Sequence, residues 1–293
     1  QCAPSWSVPI PTDEERAALW RAQAADPASA WQLGAAHRHC GARIEELARA
    51  ARNAGPALGD SPLTPAAVAR VARQTGQGAL GSLAELLPED IDEHALVLPA
   101  GLRRDLHDLD ARCRAREGLA DGLGIAARSR YRAGVRALLV GASGTGKTLA
   151  CAWLATRLGM PLYRVDLASV TSKYIGETEK NLGELFARAE SAEVIILFDE
   201  ADALFGKRTD VKDANDRFAN QQTNYLLQRI EAHDGIVFLT SNSRARFDSA
   251  FTRRLDVILD FPLPSASERR DLWLAHLGLA HDLSVTDLNR MAA

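Results

Sequence analysis

Lysine is scarce in this chain of 293 residues: five lysines stand against thirty arginines, and the first does not occur until position 147. Basic residues hold no majority either, because 35 Lys and Arg face 38 Asp and Glu, for a formal charge of −3. A chain without a net basic field does not advertise nucleic acid or an anionic lipid surface as its partner. Long apolar runs are also missing, none approaching the roughly 18 residues that span a bilayer, and no signal-peptide pattern is present, so no membrane is expected. Cysteine is sparse and unpatterned. Cys2, Cys40, Cys113 and Cys151 form neither a C-x-x-C pair nor a disulfide framework, which predicts a reducing, cytoplasmic setting. His37 and His39 lie beside Cys40 but have no fourth ligand at a familiar metal spacing, so the cluster is read as incidental. The chain opens at Gln1 without a methionine and is expected to be a piece of a longer protein.

What is present gathers around the few lysines, all five of which (147, 173, 180, 207, 212) fall within 66 residues. Where arginine is the default cation, a retained lysine marks a place that needs a compact ammonium. Lys147 belongs to Gly141-Ala142-Ser143-Gly144-Thr145-Gly146-Lys147-Thr148, which fits the phosphate-binding loop G-x-x-x-x-G-K-[ST]. Glycines let backbone N–H groups turn inward around a polyphosphate, the lysine reaches the terminal phosphates, and the threonine hydroxyl can ligate Mg²⁺. An apolar run of strand length, residues 135–140, precedes the loop, and a helix opening from Leu149 to Ala155 follows it. That arrangement adds a helix dipole to the amide cradle. Further on, Val194-Ile195-Ile196-Leu197-Phe198 ends in Asp199-Glu200, a Walker B pattern. Asp199 at the strand tip is expected to hold Mg²⁺, and Glu200 to polarise the water that attacks a γ-phosphate. Asp199-Glu200-Ala201-Asp202 also spells a helicase signature, but the spacing from the P-loop is too short and the later arginine motifs are missing.

Five strands are predicted, over 135–140, Leu162–Asp166, Val194–Phe198, Ile236–Thr240 and Val257–Phe261, with helices between them. Alternation of this kind predicts an α/β fold, a five-stranded parallel sheet flanked by helices, with ligands at the carboxyl ends of the strands. Two distant segments repeat each other. Val8 to Trp20 aligns with Phe261 to Trp273, with six of thirteen positions identical, and each reads as a strand exit, a Ser or Thr cap with Glu three residues on, and a helix carrying Leu-Trp. Residues 1–57 are therefore expected to be a helical region, the lid of a preceding module. Residues 58–94 are expected as a helical linker with a helix from Pro65 to Leu87, 95–264 as the nucleotide-binding core, and 265–293 as the incomplete start of a second lid.

Together these motifs resemble the AAA+ ATPases, and within them the AAA branch, over about residues 135–275. The resemblance implies ATP and Mg²⁺ as cofactors and ATP hydrolysis as the activity. It implies that Asn242, after Leu239-Thr240-Ser241, is the sensor-1 residue, and that Arg253 and Arg254 in Phe247-Asp248-Ser249-Ala250-Phe251-Thr252-Arg253-Arg254 are arginine fingers completing a neighbour's site. That makes a homo-oligomer, in this family usually a hexameric ring, part of the catalytic requirement. Lys173-Tyr174-Ile175-Gly176 resembles the first pore loop, which grips an extended protein substrate, and residues 206–216 stand where a second would lie. One departure is that a sensor-2 arginine would fall beyond the second lid's last residue, although Gly41-Ala42-Arg43 supplies such a motif in the first. The implied function is remodelling or unfolding of proteins through a central pore. Two alternatives remain: a nucleic-acid motor or loader on the same fold, and a non-hydrolysing ATP-binding scaffold. The tandem layout is also similar to bacterial AAA ATPases encoded beside contractile injection systems.

Overall fold

The computed structural model describes residues 10–54, 63–76, 78–87, 90–116, 118–120, 122–128, 131–165, 177–201, 214–244, 247 and 249–277, together with 282–292. Its helices are α1 (Asp13–Ala22), α2 (Pro27–Ala36), α3 (Gly41–Ala54), α4 (Pro65–Thr75), α5 (Ala100–Ala115), α6 (Lys147–Leu158), α7 (Glu177–Ala192), α8 (Ala214–Ala232), α9 (Ala266–Leu277) and α10 (Val285–Ala292), with single helical turns at Ile125–Arg128 and Ser249–Thr252. The strands are β1 (Ala84–Leu87), β2 (Val135–Gly141), β3 (Leu162–Val165), β4 (Ile195–Phe198), β5 (Ile236–Ser241) and β6 (Val257–Phe261). No described helix is long and apolar enough to cross a membrane.

All six strands join one sheet in the order β1-β3-β4-β5-β2-β6. The five expected strands form its parallel part, and the sixth is a correction to the expected count. β1 lies where a helix from Pro65 to Leu87 was expected, and that helix stops at Thr75. Ala84-Glu85-Leu86-Leu87 is a helix-favouring composition, yet it pairs antiparallel with β3, Ala84 opposite Val165 and Leu87 opposite Leu162. Tertiary pairing overrides weak local propensity here.

The parallel strands are buried on both faces, so they read as continuous apolar runs. Leu138, Val140, Ile196, Phe198, Val237 and Leu239 face Leu182, Leu185 and Phe186 of α7 and Leu226 and Ile230 of α8. The alternate residues Ala137, Leu139, Ile195, Leu197, Ile236 and Phe238 face Leu106 and Leu109 of α5 and the apolar side of α6. Each large side chain so buried contributes about 1.5–3 kcal/mol. The bottom of the sheet is tied by Arg136. Its guanidinium donates to the Ile230 and Glu231 carbonyls that end α8, at 2.9 and 2.6 Å, and to Asp256 at 3.2 Å.

α1–α4 make a separate core around Trp20, Leu33, Ile44, Leu47, Val68 and Val71. α4, expected within a linker, is therefore part of this N-terminal unit. Gly34 lets α1 and α2 cross closely, since a Cβ there would stand 2.7 Å from the Ala17 nitrogen and 2.8 Å from the Asp13 carbonyl oxygen. The two repeated segments fold alike. Thr12 and Glu15 exchange side-chain and backbone hydrogen bonds in a capping box, and Ser265 and Glu268 do the same. The next residue of each copy repeats too. Arg16 donates through Nε to Gly34 O and through Nη1 to Pro11 O, while Arg269 donates through Nε to Ala292 O and through Nη1 to Pro264 O. Trp20 is fully buried within the N-terminal unit, whereas its counterpart Trp273 is 39% exposed.

Candidate active site

The strand order decides the site. β2, β4 and β5 lie side by side, so the loop after β2, the acids after β4 and the polar tip of β5 converge at one edge of the sheet. Gly141 ends β2 opposite Phe261 of β6, and a Cβ at Gly141 would lie 2.3 Å from the Phe261 carbonyl oxygen, so only glycine fits. Gly144 and Gly146 have φ of +80° and +90°, the left-handed region that favours glycine. Gly146 is the N-cap of α6 and supplies no side-chain cap, which leaves the first amides of that helix directed at whatever the loop holds.

Lys147 is only 8% exposed, and its ammonium donates to the Gly141 and Ala142 carbonyls, both at 2.8 Å, and to Asn242 Oδ1 at 3.1 Å. The expected sensor residue and the P-loop lysine thus meet across 95 positions of sequence. Thr148 donates its hydroxyl to Asp199 Oδ1 at 3.2 Å, bringing together the two residues expected to share a Mg²⁺ ion. Glu200 is exposed beside them in a left-handed conformation, φ +52°, which is strained for a side-chain-bearing residue.

The residue that fixes this turn is Thr240, which sequence reasoning did not single out. Its Oγ1 accepts the Glu200 N–H at 3.0 Å and donates to Asp199 Oδ1, and its carbonyl accepts the Ala201 N–H at 2.8 Å. Thr240 is buried and holds both acids at once. The available signal was one polar residue closing the apolar strand Ile236-Val237-Phe238-Leu239.

Arg253 and Arg254 follow the turn Ser249–Thr252 and are both exposed. Arg254 Nε pairs with Glu231 at the end of α8 at 2.7 Å. The pair is therefore displayed at the surface. The expected pore-loop residues Lys173, Tyr174, Ile175 and Gly176 lie outside the described residues, as do residues 206–213 of the second expected loop.

The donor set fits a magnesium nucleotide. It offers a dehydrated ammonium, a hydroxyl paired with a carboxylate, and a loop whose left-handed glycines turn amides inward. Residues 137–263 match the family model described as ATPase family associated with various cellular activities (AAA). The AAA family ATPase y4kL of Sinorhizobium fredii is 36% identical over 132 residues, covering 44% of this chain and 39% of that protein. The peroxisomal ATPase PEX1 of Saccharomyces cerevisiae is 38% identical over 148 residues, covering 49% of this chain and 14% of that protein. The chain thus spans well under half the length of these relatives. Among solved structures, one described as the HORMA:CdnC:Trip13 complex of E. coli MS115-1 superposes with a TM-score of 0.57 at 20% identity, covering 72% of this chain and 79% of that one, which shows the shared fold.

Proposed function

Residues 137–263 belong to the AAA family of P-loop ATPases, and from that premise we propose that this protein hydrolyses ATP as an oligomer to remodel a protein substrate. The observation that carries the reading is the cluster Lys147, Thr148, Asp199 and Asn242, in which residues that follow β2, β4 and β5 converge within hydrogen-bond reach.

When bound, Mg²⁺–ATP supplies the γ-phosphoryl group and a cation that neutralises its charge. The chain's own groups bind and orient. Lys147, whose ammonium donates to the Gly141 and Ala142 carbonyls, would bind the terminal phosphate oxygens, and the glycine loop would hold the rest of the polyphosphate by backbone amides. Thr148 and Asp199 would hold the metal, and Thr240, by fixing the turn that carries Asp199 and Glu200, would position Glu200 to orient water. Asn242 reports on the phosphate end through Lys147. The exposed Arg253 and Arg254 serve the site of a neighbouring copy, Glu231 holding Arg254 until that copy docks. Support for a protein substrate comes from the sequence Lys173-Tyr174-Ile175-Gly176, which resembles a pore loop, and from the absence of a net basic charge. The cytoplasm suits a chain whose Cys40, Cys113 and Cys151 are free thiols.

We also read residues 10–54 as the lid of a preceding AAA-like module, on the strength of the duplicated capping box and arginine clamp. The test of the catalytic reading is Mg²⁺-dependent phosphate release by the assembled protein. Glu200→Gln is expected to keep ATP binding and lose turnover by about 100-fold or more, and Lys147→Ala to lose binding. Normal turnover in Lys147→Ala protein would overturn the assignment.

A further inference from the structure

Away from the nucleotide edge, the link between α2 and α3 brings His37 and His39 against Glu193, which follows α7 and leads into β4. We propose that His37, His39 and Glu193 form a zinc-type divalent metal site that staples the N-terminal helical unit to the ATPase sheet. The trio was not legible in the sequence. The local neighbour Cys40 is exposed and lies outside it, and the third ligand comes from more than 150 residues away.

The geometry is that of a first coordination shell. One ligand atom from each residue lies within 4.8 Å of the others, and the side chains are only 7%, 4% and 4% exposed. Oε2 of Glu193 is 2.9 Å from His39 Nδ1 and 3.9 Å from His37 Nδ1. Edges of roughly 3.3–3.5 Å are what tetrahedral bonds of about 2.0–2.2 Å require, so the observed spacings bracket the needed ones. All three atoms are buried; His39 Nδ1 and Oε2 lie within hydrogen-bond distance of each other, and His37 Nδ1 has no hydrogen-bond partner. A buried nitrogen left unsatisfied, as His37 Nδ1 is, costs about 1–3 kcal/mol, and a cation shared by the three residues removes that cost. A proton can join only one imidazole to Oε2 and leaves the other nitrogen unsatisfied, whereas a cation takes all three lone pairs.

The surroundings behave as an outer shell. The other carboxylate oxygen, Oε1, accepts the Arg38 N–H at 2.5 Å and Arg116 Nη2 at 2.8 Å, which fixes the carboxylate plane and leaves Oε2 free to ligate. Two imidazoles and one carboxylate favour Zn²⁺ or Co²⁺ over Mg²⁺ or Ca²⁺, which prefer oxygen. The Arg116 charge weakens the site relative to one without a nearby cation.

Holding the N-terminal unit to the sheet through a metal makes the docking of the two dependent on metal. The test uses the whole chain, stripped with EDTA and kept in Mg²⁺–ADP so that the nucleotide site is filled. Zn²⁺ is then titrated against a chromophoric chelator. The expected result is one Zn²⁺ per chain, a melting temperature that rises with Zn²⁺, and affinity weakened at least about tenfold in His37→Gln and in His39→Gln. Equal Zn²⁺ binding by the unsubstituted protein and the double variant, or no stoichiometric binding at all, would overturn the proposal. Should the variants misfold, Co²⁺ added to the unsubstituted protein decides. Intense visible bands of a four- or five-coordinate site, unchanged after Cys40 is alkylated, support it, and the weak spectrum of hydrated Co²⁺ refutes it.

Discussion

Replacing Thr240 with valine tests whether one hydroxyl aligns both acids of the candidate site. Valine matches threonine in shape and strand preference, so the buried position in β5 keeps its packing. Two hydrogen bonds disappear. The Glu200 N–H loses its acceptor at 3.0 Å, worth about 1 kcal/mol, and the Asp199 carboxylate loses a donor, worth about 1.5–3 kcal/mol because the acceptor is charged. Against this, Glu200 is held at φ +52°, and letting it relax returns about 1 kcal/mol. The net loss is about 1.5–3 kcal/mol, which lowers the melting temperature of a domain this size by roughly 3–12 °C. A relaxed Glu200 no longer faces the phosphate end, and turnover by the assembled protein should fall roughly tenfold to a hundredfold. The control is Ser241→Ala, which removes only two local bonds with Ser243, one to its carbonyl at 3.2 Å and one from its N–H at 3.1 Å, and touches neither acid. Thermal melts without nucleotide and phosphate release with Mg²⁺–ATP read the two effects. If Thr240→Val melts and turns over like Ser241→Ala, the hydroxyl does not organise the acids and the reasoning fails.

The remaining predictions concern the frame around the site. Burial pushes the Cys113 thiol up to about 12 and the Cys151 thiol well above its usual value, so iodoacetamide at mildly alkaline pH should modify Cys40 and spare both in the native chain. Rapid native labelling of Cys151, at the root of the P-loop helix, would contradict the packing of α6. Gly34→Ala places a methyl 2.7 Å from backbone that cannot yield, and should destabilise the N-terminal unit by about 1–3 kcal/mol while leaving nucleotide binding intact. Limited proteolysis with and without ADP separates the two outcomes, and unchanged resistance of α1–α4 would show that the helix crossing tolerates the substitution.

Much of this was legible along the chain because it is local. A P-loop is eight consecutive residues, and each parallel strand, buried on both faces, announces itself as an apolar run bounded by polar residues. The duplicated caps at Thr12 and Ser265 could be read for the same reason: a capping box closes within four residues. β1 could not, since Ala84-Glu85-Leu86-Leu87 becomes a strand only by pairing with β3.

What the tertiary structure alone decided is which distant residues meet. The sheet order sets β5 between β2 and β4, and only then does Asn242 reach Lys147 and Thr240 clamp Asp199 and Glu200. The same holds for the His37, His39 and Glu193 trio, whose members look unremarkable apart. Periodicity and spacing record how a segment satisfies its own backbone. Meetings between segments are set by strand order and by the closing of one packed unit on another, which no local pattern encodes.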